Sequence, residues 1–317
     1  MRLSSRFLSA AVLLAAYLPL SARAGAPLVK TQAPGYFRFM VGSFEVTALS
    51  DGTVKLPMVK LLKDKSGAAP MKLKKAFLGD PVETSDNAYL VNTGSKLVLI
   101  DTGAGGLFGP TLGNVAANLK ASGYTPDQVD EIYLTHVHPD HIGGLTVDGK
   151  PAFANAILRL DKADLDFWLD EARAKAAPED SKGFFQGAQA MLAPWVAAKR
   201  VNAFTGATEL VPGIKSQPSH GHTAGHTTYV IESDGQKLVL WGDLLHAAAV
   251  QFPDPSVTIA FDTDSKSAAA ERKKADADAA KNGYLVGITH VSFPGVGHVV
   301  ASGKGYQWLP VNYTSLK

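Results

Sequence analysis

The sequence predicts an α/β protein built as a four-layer αββα sandwich, two sheets packed face to face with helices outside. An internal echo is the first reason. Ala88 to Asp101 reads as two strands around a turn at 92–95, followed by a helical stretch from Leu112 to Ala121 and a strand from Glu131 to His136. Thr228 to Asp243 reads as two strands around Asp234-Gly235, followed by a helix from Ser267 to Lys281 and a strand from Tyr284 to His290. Each half runs strand, turn, strand ending in Asp, helix, strand ending in His. The second reason is the placement of the histidines. Of nine, three fall within Thr135-His136-Val137-His138-Pro139-Asp140-His141, and the rest stand at 220, 222, 226, 246, 290 and 298. None is left for a random surface position, so the Asp and His strand ends are expected to gather at one rim.

The elements follow in chain order. Residues 1–24 read as a secretory signal: Arg2 and Arg6, an apolar stretch from Phe7 to Leu20, then Ala22-Arg23-Ala24 before Gly25. That stretch is too short to span a bilayer comfortably, so no membrane partner is expected for residues 25–317, which form one domain destined for the periplasm or the medium. Tyr36 to Leu49 reads as an edge hairpin, and Met58 to Met71, rich in Lys, as a surface loop or flap with solvated charges. Asp161 to Arg200 carries Trp168, Phe184, Phe185, Met191 and Trp195 on helices with a break at Gly183. Aromatics at that spacing either pack into core or cap a pocket beside the rim. The charged helix Ser267 to Lys281 reads as a solvated outer face.

Composition narrows the function. Removing Arg2, Arg6 and Arg23 from 31 bases leaves 28 against 29 acids. A near-neutral chain lacks the basic excess that phosphate tracking needs, so nucleic acid is not an expected partner and a small molecule is. There is no cysteine. Disulfides and thiolate ligands are therefore excluded.

The histidine runs point to metal chemistry. A two-metal hydrolytic site needs nitrogen and oxygen ligands, a bridging group and an open position for water. An extended His136-Val137-His138 pair points both rings the same way. His136, His138 and His222 would hold one ion, and Asp140, His141 and His290 the other, with Asp243 bridging; Asp140 and Asp243 are the carboxylates at which catalysis is expected. His222 is chosen from Ser219-His220-Gly221-His222-Thr223-Ala224-Gly225-His226 because its glycines allow a tight approach to metal. His226 then reads as a buried hydrogen-bonding residue and His220 as structural. The repeat favours His290 over His298, since His290 ends a strand as His136 does. Asp101 echoes Asp243 and reads as an orienter of a ligand histidine. His246 reads either as a pocket residue or as an ordinary loop histidine.

THVHPDH at 135–141, GHTAGH at 221–226, the aspartate of WGD at 241–243 and a late strand-end histidine together resemble the metallo-β-lactamase superfamily across nearly the whole of 25–317. Within it, stretches such as VTALSDGT, AAVQFPDPSV and KGYQWLPVNY look like methyl parathion hydrolase and its relatives that open dihydrocoumarin and other aryl lactones. The resemblance implies an αββα fold of that type, a binuclear zinc site held by the seven residues above, and a homodimer. It also implies an aromatic pocket from Phe108, Trp168 and Phe184, with Phe185 beside it. His246, Ile259 and Phe261 look more like the lactonase relatives than the organophosphate enzyme. Other branches fit less well: a glyoxalase-type enzyme needs a longer region than the 27 residues after His290, and diiron relatives place Glu where His138 stands. The expectation is an exported zinc hydrolase of lactones or aryl esters; the alternatives are an organophosphate triester hydrolase and a non-catalytic periplasmic zinc-binding protein.

Overall fold

A computed structural model describes residues 25–315. The signal assigned to residues 1–24 lies outside the described residues. A compact unit runs from Pro34 onward, and residues 25–33 lie outside it. Residues 25–33 carry no helix or strand, and everything below concerns the larger unit.

Its first sheet has six strands in sequence order: β1 (Tyr36–Val41), β2 (Phe44–Leu56), β3 (Val82–Asn92), β4 (Leu97–Ile100), β5 (Glu131–Tyr133) and β6 (Ile157–Arg159). The second has seven: β7 (Thr208–Val211), β8 (Ile214–Pro218), β9 (Thr227–Ser233), β10 (Gln236–Leu240), β11 (Leu285–Gly287), β12 (Val296–Ser302) and β13 (Gly305–Pro310). β3 and β4 form an antiparallel hairpin and β4 pairs parallel with β5. β9 and β10 form a hairpin and β10 pairs parallel with β11. The two halves are the same unit, and in each a helix crosses between the parallel strands: α1 (Val115–Ala121) in the first and, later in the chain, α4 (Ser265–Asn282) in the second.

Strand alternation builds the layers. In β4, Val98 and Ile100 face the second sheet, in a core with Tyr89, Ile231 and Leu240, while Leu97 and Leu99 face the helices with Leu119, Leu192 and Trp195. In β10, Leu238 and Leu240 face the first sheet, and Val239 packs outward in a cluster with Trp241, Ala279 and Ile288. The result is helix, sheet, sheet, helix. α4 is highly charged, but Ala268, Arg272, Asp276 and Ala279 form a buried stripe along it. Its exposed remainder is the solvated face.

Four boundaries differ from the sequence reading. β5 ends at Tyr133 and β11 at Gly287, so His136 and His290 each stand three residues past a strand, on loops. Gly183 breaks nothing: it lies inside α3 (Glu179–Ala197), the last of three helices after α2 (Lys162–Leu169) and Glu171–Ala176. A glycine in a helix interior costs about 1 kcal/mol against Ala, which the packing of Ala188, Leu192 and Trp195 against the first sheet outweighs. Finally, 58–71 is more than a loop. Leu62–Lys63 pairs with Thr258–Ile259, and Met58, Leu62 and Ala69 are buried in a satellite core with Val250 and Val257.

Candidate metal centre

The loops after β4, β5, β10 and β11 meet at one rim, the edge beyond the C-terminal ends of the parallel strands. His138 caps the short helix Pro139–Ile142 in an extended conformation, which turns its ring toward His136. His136 Nε2 and His222 Nε2 each lie 3.0 Å from His138 Nδ1. Together with Asp243 they form one group whose donor atoms all lie within 4.8 Å of one another.

Asp140, His141, Asp243 and His290 form a second group within the same limit. His290 Nε2 is 3.1 Å from each Asp243 oxygen and 3.5 Å from Asp140 Oδ2. His141 Nε2 is 3.2 Å from Asp243 Oδ1. Yet both His141 Nε2 and Asp243 Oδ1 are buried without a hydrogen-bond partner among the described residues. These atoms crowd together without bonding one another, as lone pairs aimed at a common point do. The residues therefore fit a pair of cations sharing Asp243. His298 stands apart, half-buried in β12 opposite Leu309.

Three of the five ligand rings are held from behind. Asp101 Oδ2 lies 2.8 Å from His141 Nδ1, and the same carboxylate accepts from Thr135 N and Thr135 Oγ1 at 2.8 Å each. With Nδ1–H donating there, the His141 Nε2 lone pair faces inward. His290 Nδ1 donates to Ser85 O at 3.0 Å. His222 Nδ1 donates to Asp262 Oδ1 at 2.9 Å. Asp164 ties the two ligand loops together by accepting from Val137 N, Thr223 Oγ1 and Gly225 N at 2.6–2.9 Å.

Sequence reasoning passed over Asp262 and Asp164. Asp262 sits in an acidic stretch and offers no local signal. Asp164 does offer one, because it shares the buried face of α2 with Trp168, four residues on, and a carboxylate on such a face needs donors. His226 is buried; its Nδ1–H donates to Ser219 Oγ at 2.8 Å and its Nε2 accepts from Asp243 N at 3.0 Å. His220 is paired with Asp161 at 3.2 Å near the surface.

Two glycines matter for close approach. At Gly242, with φ +54, a Cβ would lie 2.8 Å from Thr135 Cβ and 2.9 Å from His226 Nε2; only Gly lets the next residue, Asp243, sit there. At Gly221, with φ +142, a Cβ would strike the backbone of Ser267 and Ala268. The glycine beside His222 thus serves packing of its loop against α4, whereas the sequence reading gave it to the metal.

Burial drives the His136 and His138 imidazoles well below their ordinary range, leaving neutral lone-pair donors. Burial opposes charge on His141, His222 and His290 too, but Asp243 and neighbouring carboxylates outweigh it and raise all three, His290 to about 9. Burial alone would raise the Asp243 carboxyl, and the ring of histidines holds it well below the carboxylate range instead. A cation binding here displaces those protons.

Two cavities adjoin the cluster. A small one of about 20 Å³ is lined by Phe108, Phe184, His246 and Phe261 together with His138, Asp140, Asp243 and His290. A larger one of about 680 Å³ is walled by Phe167, Trp168, Phe184, Phe185 and Phe261 and reaches His138 and Asp262. Trp168 and Phe185 also belong to the helix-side core, so one face of this insertion packs and the other lines. His246 is a pocket residue, stacked on His290 with ring centroids 5.0 Å apart. Ile259 is not among the lining residues of either cavity; it is buried in the satellite core because its strand pairs with Leu62.

A family model described as the metallo-beta-lactamase superfamily matches residues 82–290. Among solved structures the chain is similar to hydrolase AbOPH of the beta lactamase superfamily, 38% identical at a TM-score of 0.85, covering 90% of this chain and 100% of that one. AidC, a dizinc quorum-quenching lactonase in complex with a product, is 28% identical at a TM-score of 0.82, covering 89% of this chain and 99% of that one. A probable metal-dependent hydrolase from Staphylococcus aureus shares the fold at a TM-score of 0.69 and 23% identity, over 88% and 100%. Among curated proteins, Ribonuclease TTHA0252 of Thermus thermophilus is 28% identical over 182 residues, 55% of this chain but 38% of that protein. The chain therefore spans well under half the length of that relative.

Proposed function

This chain belongs to the metallo-β-lactamase superfamily, and on that premise we propose that it is an exported binuclear zinc hydrolase that opens lactones or cleaves aryl esters. The observation that carries the reading is Asp243, a buried carboxylate shared by two ligand groups beside an aromatic-walled cavity. Zinc is chosen over harder ions because five of the seven donors are imidazoles.

His136, His138 and His222 would hold one ion and Asp140, His141 and His290 the other, with Asp243 between them. Two such ions supply a Lewis acid for the carbonyl oxygen and a water acidified to a pKa of about 7. The protein's own part is positioning. Asp101, Asp262 and the Ser85 carbonyl hold the ligand rings so that no reorientation is needed when charge develops. His246, held neutral by burial that lowers it to about 4, keeps its one proton on Nε2, 3.1 Å from Asp243 Oδ2, and thereby steadies the shared carboxylate. Phe108, Phe184 and Phe261 exclude bulk water. Water adds to the acyl carbon and gives up a proton, the carbon–oxygen bond breaks with its electron pair on the departing alkoxide or phenoxide, and that group takes up the proton directly or from solvent.

Space beside the ligands argues for carbon over phosphorus. The bulk of Phe261 and His246 stands beside the donor groups. A planar carbonyl made tetrahedral fits there better than a phosphotriester expanding to five coordination. Export rests on residues 1–24 and a homodimer on the family resemblance. Near balance of charge supports a small-molecule substrate over nucleic acid.

The test is a panel on purified, zinc-loaded protein. Dihydrocoumarin-like lactones or phenyl acetates should show a kcat/KM at least about tenfold above methyl parathion, and Phe261→Leu with His246→Leu should narrow the gap. A wild type that prefers methyl parathion to every lactone and ester moves the assignment to phosphotriesters. Two bound zinc ions with no turnover of any class would leave a zinc-binding protein.

A further inference from the structure

The larger cavity holds far more than an unsubstituted lactone ring needs, and its outer end is built differently from its inner end. Trp168 and Phe184 of its wall lie against His138, with ring centroids 5.5 and 5.3 Å away; the exposed Lys60, Lys63 and Arg173 form its rim. Arg173 is engaged, 3.3 Å from Asp170 and 5.1 Å from the centre of the Phe167 ring. Lys60 and Lys63 have no carboxylate within ion-pair distance among the described residues. The one acid lining the cavity, Asp262, is already spent on His222 Nδ1 and Ile259 N. The stretch 55–75, which contains the flap and both lysines, holds seven lysines. Its single acid there, Asp64, accepts from Ser66 and Ala69. A chain that is nearly neutral as a whole therefore concentrates uncompensated positive charge where an apolar channel opens to solvent.

We propose that the rim is a subsite for an anionic group. The preferred substrate is then an ester or lactone whose apolar body carries a remote carboxylate or comparable acid, which lodges between Lys60 and Lys63 while the acyl carbon sits at the ligand cluster. This rests on the hydrolase reading above for the inner end but not for the outer one. Cations at a cavity mouth with low-dielectric walls raise the local concentration of anions and orient their entry. Two partly exposed ion pairs of this kind contribute a modest factor together.

The experiment compares, on zinc-loaded protein, the mono-p-nitrophenyl ester of adipic acid with its methyl ester, which has the same body without the charge. The expected kcat/KM ratio is about fivefold to tenfold in favour of the acid, carried by KM. It should fall to near one in Lys60→Gln/Lys63→Gln, and in wild type as ionic strength rises. Lys72→Gln/Lys74→Gln, on the neighbouring helix Ala69–Lys75 and not among the residues lining the cavity, should keep the wild-type ratio. Binding of adipic acid monoanilide against its methyl ester, read by tryptophan fluorescence, separates the subsite from the chemistry. Tighter binding of the acid that depends on Lys60 and Lys63, with no ester or lactone turned over, keeps the subsite and removes the hydrolase reading. A ratio near one in wild type, or a preference that survives the double substitution, overturns the proposal; the latter would mean the acid is captured at the metal ligands.

Discussion

Asp101 and Asp243 occupy corresponding places in the two halves, one and three residues past the second strand of a hairpin, yet they do opposite work. Both Asp101 oxygens are bonded, to Thr135 and His141, so the carboxylate faces its own loop. Asp243 leaves Oδ1 unbonded and has His141, His222, His246 and His290 nitrogens within 3.2 Å of its oxygens. Backbone geometry makes the difference. Asp101 itself takes a left-handed φ of 61°, which turns its side chain back toward Thr135. Before Asp243 the left-handed residue is Gly242, and His226 takes the Asp243 N–H. One repeated unit thus yields an orienting carboxylate in one copy and, in the other, the carboxylate common to both donor groups.

The sharpest way to break this contrast is paired substitution. Asp243→Asn should abolish turnover and lower the content of both metals. Asp101→Asn turns an amide N–H₂ toward His141 Nδ1, favours the wrong tautomer, and should cost about 10- to 100-fold in activity or metal affinity. Metal analysis alongside kinetics checks both, and equal losses from the two would erase the distinction.

The ends of the third strands offer a smaller contrast. His290→Ala should lose about one metal per chain with most of the activity, whereas His298→Ala should retain both metals and lose much less. The reverse ranking by metal analysis would move the ligand from the loop after β11 to β12.

The smallest expected effect tests the outer layer on the Asp243 side. Burial raises the Asp276 carboxyl to about 7, with Arg272 only partly offsetting it, and neither oxygen has a partner among the described residues. Arg272 is instead committed to the carbonyls of Leu244, Pro255 and Val257. A carboxyl whose folded pKa lies above its unfolded value stabilises the protein below about pH 4 and loses that contribution as pH rises to about 7. Asp276→Asn should remove this decline and raise stability near pH 7.5 by about 2 kcal/mol. Urea unfolding midpoints between pH 5 and 8 read it, and parallel curves for the two proteins would contradict it.

Much of this molecule was legible in one dimension because its signals are local. Alternating apolar runs such as Leu97 to Ile100, turn residues at Asp234-Gly235 and histidines two to six positions apart all act within a few residues. These were enough for the αββα layers, the repeat and the grouping of donors. What tertiary structure alone decided is contact between segments far apart in the chain. Asp262 behind His222, Asp164 bridging the 137 and 223–225 loops, Ile259 paired to Leu62 and Gly221 pressed on α4 each join residues 27 or more positions apart. No periodicity encodes such pairings, because they arise from how sheets stack and loops cross. The sequence by itself determined which groups could hold metal and which faces are apolar. Only packing decided which distant groups brace the ligand loops, which aromatic side chains line a cavity, and which cations are left unpaired at its mouth.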